Sequence, residues 1–419
     1  MKTEPSVKAD RPVALQPPPG NPRYPLFDSC RGLAALSVLL FHVGAIGGGN
    51  LDGPLRELGR NLNIGVPIFF AISGFLLYRP FLHARIGGGA PLSLRGYARR
   101  RVLRIVPGYW VALTALAVFS GWSAVFGPEF WRYYGFAQIY ARDTFDGGIG
   151  VAWTLCIEAS FYVLLPLFAL LMARLSRGRD LRATVRLEVA VLLGLGVASA
   201  VTRAILGEHS GYIFPVSMLP GTFVWFVPGM LLAVGSVAAS RGVAGRGLRW
   251  ALLPEHGTQV WLLAVLSFAA LCVVGAVDVP QYVADGVLTP LVALLFLIPA
   301  AVERTLERRS VNAVPQAVLG LPALLWLGLI SYGLYLYHAT LLAWLDAHGA
   351  DRIFPFNHWI GLAIATLLVT IPVAAGSWYA VERPAVRFGS RRPRLGRQPR
   401  PSAPVRDVLP EPEAERSIA

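Results

Sequence analysis

Apolar residues in this chain gather into runs of bilayer length, separated by short stretches rich in arginine, glycine and proline. A window of about 19 residues gives ten candidate helices, at roughly 27–48, 62–80, 105–122, 152–173, 187–206, 221–240, 259–278, 285–302, 322–345 and 359–381. Alternate loops hold seven arginines (Arg79 to Arg104), five (Arg174 to Arg186), three (Arg241 to Arg249) and three (Arg304 to Arg309). The opposite loops hold Arg56 and Arg60, Arg132 and Arg142, none, none, and Arg352. The bias never reverses. It predicts an all-α polytopic membrane helix bundle of about ten transmembrane helices with both termini cytoplasmic.

The polar, proline-rich residues 1–25 read as a disordered cytoplasmic extension with no cleavage signal, and 389–419 as a Pro/Arg-rich cytoplasmic tail. The membrane domain is expected over 26–388. The loop near 81–104 is expected at the interface, with a basic helix near its end. The aromatic-rich loop 123–151 either lies over a site or rests among the headgroups.

Composition agrees with this picture: of 419 residues, 55% are hydrophobic and 15% charged, where a soluble domain would carry nearer a quarter charged. The net charge of +14 does not point to nucleic acid, because the arginines cluster between apolar runs and form no basic face. Cys30, Cys156 and Cys272 are too few and too separated for a disulfide framework or a zinc site, and no metal is expected.

Charged groups at membrane depth cost about 2.5–3.5 kcal/mol each on insertion scales, so each asks for a reason. In "RGLAALSVLLFH", residues 31–42, Arg31 and His42 are eleven residues apart. Eleven helical steps of about 100° bring them to one face, separated by roughly 16 Å. Depth counting puts His42, Glu158 of "WTLCIEASFY" and His338 of "ISYGLYLYH" in the outer half. Arg31, Arg101 and Arg104 fall near the cytoplasmic boundary, as do Glu382 and Arg383.

An imidazole beside a carboxylate makes a general base, so Glu158 is the expected partner of His42. The arginine tier would bind an anion, foremost phosphates. A phosphorylated cytoplasmic donor meeting an acceptor in the outer half fits group transfer. Each group also has a plainer reading. The histidines could be packed residues bonding carbonyls, Arg31 could reach the headgroups or pair with Glu382, and Arg203 could snorkel. Arg85 and Arg95 could only enforce topology or touch anionic lipid. Ser73-Gly74 could be a helix contact, and Trp153 and Tyr162 ordinary packing.

Six segments carry a family resemblance: "FDSCRGLAALSVLLFH", "FFAISGFLL", "RRRVLRIVPGYW", "WTLCIEASFY", "ISYGLYLYH" and "VERP". Together and in this order, across roughly 26–388, they resemble the membrane acyltransferase-3 family, whose members O-acylate polysaccharides, peptidoglycan and small glycosides. The resemblance implies acyl-CoA as donor, acetyl-CoA foremost, and a carbohydrate or glycoside hydroxyl as acceptor. It maps the family's essential Arg and His onto Arg31 and His42, its basic motif onto Arg101 and Arg104, and its glutamate onto Glu158. Asp28-Ser29-Cys30-Arg31-Gly32 departs from the usual Asp-Gly-Leu-Arg-Gly, and Thr154 stands where Ser is common. The SGNH-type domain of some members is not expected, so the chain would act alone or with a separate extracytoplasmic transferase.

The expectation is therefore a multi-pass O-acyltransferase of the cell (plasma) membrane, moving a short acyl group from cytoplasmic acyl-CoA to an envelope glycan or glycolipid. His42 and Glu158 are the catalytic candidates, and Arg31, Arg101 and Arg104 bind the coenzyme. Ser73, Trp153, Tyr335 and His338 are candidates for the acceptor or the oxyanion. Two alternatives stand beside it: acylation of a secreted glycoside such as a macrolide, and a proton-coupled secondary transporter using Glu158 and the histidines.

Overall fold

The computed structural model describes residues 24–47, 54–210, 216–276, 284–301 and 314–390. The expected terminal extensions lie almost wholly outside them. Among the described residues there is no strand. Nine helices are long and apolar enough to cross a membrane, and the pair Leu219–Trp225 and Val227–Ser240 reaches that length together with a 46° bend.

We number the membrane helices α1 (Leu26–Ile46), α2 (Gly65–Arg85), α3 (Leu94–Ser120), α4 (Trp153–Leu175) and α5 (Leu181–Ser210). They continue with α6 (Val227–Ser240), α7 (Gly257–Ala276), α8 (Thr289–Ala301), α9 (Pro322–Ala347) and α10 (His358–Ser377). Local chemistry sets the ends. Ser93 caps α3 by accepting from the Gly96 amide at 3.2 Å, and Asn357 caps α10 by accepting from Ile360 at 2.9 Å. Gly121, at φ 69°, closes α3 in the left-handed region.

The sixth crossing breaks where Pro228, near the start of α6, cannot donate to the preceding turn. The Val224 amide freed there donates to Ser199 Oγ of α5 at 2.9 Å. Pro384 has a similar effect beyond α10: the helix widens into a π turn over Trp378–Glu382 before continuing as Arg383–Ser390.

Arginines at helix ends extend the elements past the apolar runs. The expected second and third helices end at Arg85 and begin at Leu94, so the interfacial loop of 81–104 shrinks to 86–93 and its arginines join the helices. Arg85 pairs with the fully buried Glu188, which also accepts from the Tyr78 hydroxyl at 2.5 Å. Arg203 likewise does more than snorkel. It bonds Asp285 at 2.7 Å and lies 4.4 Å from the Trp225 ring centroid.

α1 packs most extensively on α9, and α2 on α6. Both contacts are made by backbone meeting backbone. A Cβ on Gly328 would overlap the Asp28 carbonyl, and one on Gly229 would overlap that of Ala71. α1 and α9 keep one register: Gly32 meets Gly328, and ten residues on, His42 meets His338. On the outward surfaces Val163, Leu167, Val197, Leu262 and Val265 stay exposed, as side chains facing lipid should.

The segment 123–152 folds into five short helical turns packed on α3 and α4. Tyr109 donates to the Tyr133 carbonyl at 2.9 Å, and the Tyr140 and Ser160 hydroxyls bond at 2.5 Å. Phe136, at φ 58°, lies against the Tyr109 ring. The segment thus covers one end of the bundle, and its last turn supplies Val151 to the site below.

Candidate active site

α1, α2, α3, α4 and α9 enclose a cavity with about 800 Å³ of empty space, lined among others by Arg31, Ser73, Arg101, Arg104, Glu158 and Tyr335. Six residues singled out from sequence thus converge. The helical periods explain it: Arg101 and Arg104 are one turn apart on α3, and Glu158 and Tyr162 one turn apart on α4.

Arg31 is held by Asp28, one turn earlier on α1, with Nη1 to Oδ1 at 2.7 Å. Glu158, Arg101 and Arg104 lie within its electrostatic reach. The Arg101 guanidinium sits 6.0 Å from the Tyr162 ring, with a buried Nε that has no protein partner. Arg104 lies 5.7 Å from the ring of Trp378. Glu382 does not pair with Arg31; buried at 2% exposure, it accepts from Ser377 Oγ at 3.0 Å. Three guanidiniums against one cavity carboxylate leave the space cationic, and the remaining lining is largely apolar and aromatic. That combination suits an anionic group carried on an uncharged arm.

Glu158 is not bonded to His42. Its Oε1 accepts from Ser73 Oγ at 2.5 Å, joining α4 to α2. His42 instead meets His338: His338 Nε2 and His42 Nδ1 are 3.2 Å apart, with ring centroids at 4.9 Å. Neither imidazole lines the cavity. Tyr335 links the two regions. It lines the cavity, its ring centroid lies 5.8 Å from that of His338, and its hydroxyl donates to the Val151 carbonyl at 2.8 Å. Thr154 Oγ1 lies 2.8 Å from the same hydroxyl. The expected dyad is thus two separate pairs, because the side of α4 that carries Glu158 faces α2 and not the outer part of α1.

Trp153 is not in the cavity wall; it packs, partly buried, against the main apolar core. Ser73-Gly74 does both things expected of it, since Gly74 abuts the Phe226 backbone while Ser73 turns to Glu158. Sequence reasoning missed Asp28 as the anchor of Arg31, although the three-residue spacing was visible. It also missed Tyr332, which lines the cavity and donates to the Ile105 carbonyl at 2.8 Å. Among the described residues, no three His, Cys, Asp or Glu side chains are grouped to hold a metal ion.

A family model described as an acyltransferase domain matches residues 25–378. Nodulation protein 10 of Rhizobium leguminosarum bv. viciae is 26% identical over 348 residues, 77% of this chain and 82% of that protein. O-acetyltransferase OatA of Staphylococcus aureus (strain NCTC 8325 / PS 47) is 23% identical over 393 residues, 88% of this chain. Peptidoglycan O-acetyltransferase OatA of Listeria monocytogenes serovar 1/2a is 24% identical over 402 residues, 87% of this chain. The matches span 58% and 56% of those two relatives' own lengths. No solved structure matches the chain.

Proposed function

The chain belongs to the acyltransferase family, and from that premise we propose that it moves an acetyl group from acetyl-CoA to a carbohydrate hydroxyl. Membership decides for an acyltransferase over a secondary transporter. The observation that carries the donor is the convergence of Arg31, Arg101 and Arg104 on one cavity. Their guanidiniums would take the coenzyme's phosphates bidentately, while the apolar lining accommodates the pantetheine arm and the thioester. Relatives named O-acetyltransferases support acetyl as the group moved.

His42 is the base in this reading. It takes the proton of the acceptor hydroxyl, the oxygen attacks the thioester carbonyl, the C–S bond breaks, and the proton passes to the departing thiolate. Glu158 acts from the cavity side: it balances the guanidiniums and fixes Ser73. The arginine-rich loops argue for a cytoplasmic donor and a plasma-membrane setting. The acceptor, an envelope glycan or glycolipid hydroxyl, would approach the histidine pair from the opposite end. A secreted glycoside would be handled by the same chemistry.

The test is transfer of labelled acetyl from acetyl-CoA by the purified full chain in lipid nanodiscs, with polysaccharide, muropeptide and glycoside acceptors. Transfer lost in His42→Gln at equal expression is the expected result. A wild-type protein that neither binds nor cleaves acetyl-CoA would overturn it.

A further inference from the structure

The hydrogen bonds around the two imidazoles determine where their protons sit. His338 Nδ1 faces two carbonyl oxygens, of Tyr335 at 2.8 Å and Leu334 at 3.2 Å. Carbonyls only accept, so this nitrogen carries the hydrogen and Nε2 of the neutral ring keeps its lone pair. That Nε2 faces His42 Nδ1 at 3.2 Å. His42 Nδ1 is also 2.9 Å from the Val38 carbonyl. With an acceptor on each side, His42 Nδ1 must carry a hydrogen too. The unprotonated nitrogen of His42 is then Nε2, and no partner among the described residues occupies it.

From this we propose that His338 is a positioning residue that stands where a triad carboxylate would. Buried at 1% exposure, it accepts from His42 Nδ1–H, fixes the plane of that ring, and leaves Nε2 as the basic nitrogen. When Nε2 takes the acceptor's proton, the Nδ1–H···Nε2 bond becomes charge-assisted and strengthens as positive charge develops. The charge is then spread towards the second ring, whose own Nδ1–H stays on the two carbonyls. The proton leaves through His42 Nε2 to the thiolate, and both rings return to their starting tautomers. The α1–α9 register makes this pairing a property of the backbone, since each imidazole stands ten residues beyond the glycine contact. Glu158 cannot share the task, being engaged by Ser73 on the far side of Tyr335. The assignment rests on His42 being the base and adds what orients it.

The experiment has two arms on the full chain in nanodiscs. In histidine-selective ¹⁵N spectra, both His42 and His338 should be protonated at Nδ1, with a scalar coupling across the N–H···N bond that is absent from His338→Leu. In the kinetic arm, His338→Leu should lower kcat about 10- to 100-fold with KM for acetyl-CoA unchanged. His338→Gln, whose side-chain carbonyl can still accept, should recover part of the loss. His42 protonated at Nε2 in the wild type, or His338→Leu turning over at the wild-type rate, would overturn the proposal. The expected spectrum from a wild type that transfers no acetyl group would instead remove the base reading and leave the pair standing.

Discussion

Ser73 of α2 donates to Glu158 of α4 across 2.5 Å, inside a cavity that holds three guanidiniums. A hydrogen bond to a charged acceptor in such a place is worth about 1.5–3 kcal/mol. Ser73→Ala and Glu158→Gln should each reduce turnover, and the double variant should lose less than the sum. The coupling energy from a double-mutant cycle on kcat/KM should reach about 1 kcal/mol. Strict additivity would mean that the bond has no part in the reaction.

Arg101 and Arg104 should govern donor affinity more than turnover. Arg101→Ala and Arg104→Ala are each expected to raise KM for acetyl-CoA about 10- to 100-fold with a smaller change in kcat. Lysine at either position should recover only part, having charge without the planar fork. Initial rates against acetyl-CoA concentration measure this, and unchanged KM in both alanine variants would move the donor elsewhere.

The glycine contact of α1 and α9 should be sensitive to one methyl group. Gly328→Ala drives a Cβ into the Asp28 carbonyl, and overpacking of this kind costs about 1–3 kcal/mol. The melting temperature of the purified protein should fall. Activity should fall further than melting alone explains, because the same register brings His42 to His338. A variant that melts and turns over like the wild type would contradict the contact.

Beyond the membrane helices, the hydrogen bond from His358 to Asp351, at 2.9 Å, holds the Asp351 carboxyl below its ordinary value of 3.8. A depressed carboxylate stabilises the fold above its unfolded pKa, and that contribution disappears as pH falls through the folded one. Melting curves from pH 7 downward should therefore show wild type above Asp351→Asn at neutral pH. The two should converge once the pH drops below about 4. A gap that persists at pH 2 would assign the difference to something other than ionisation.

Helix number was legible because apolar runs of bilayer length have few other uses, and all ten expected runs coincide with helices or, at the sixth, with a bent pair. Helix ends were less so: arginines at the headgroup boundary lower hydropathy but remain good helix formers, which is how α2 and α3 outran their windows. The site's membership followed from depth. Its pairing did not. Depth counting placed His42, Glu158 and His338 at one level, but rotation about each helix axis decides which neighbours meet, and tertiary packing sets that rotation. Asp28 with Arg31 was local and readable; Ser73 with Glu158 and Tyr332 with Ile105 needed the fold.

Tyr335, tethered to Val151 and Thr154, also acts as a bulkhead. With the phenol in place, water from the histidine side has no open route to a thioester held among the arginines, so a loaded enzyme would waste little donor while idle. Productive reaction then requires this ring to yield, which makes arrival of the acceptor and exposure of the acyl carbon one event.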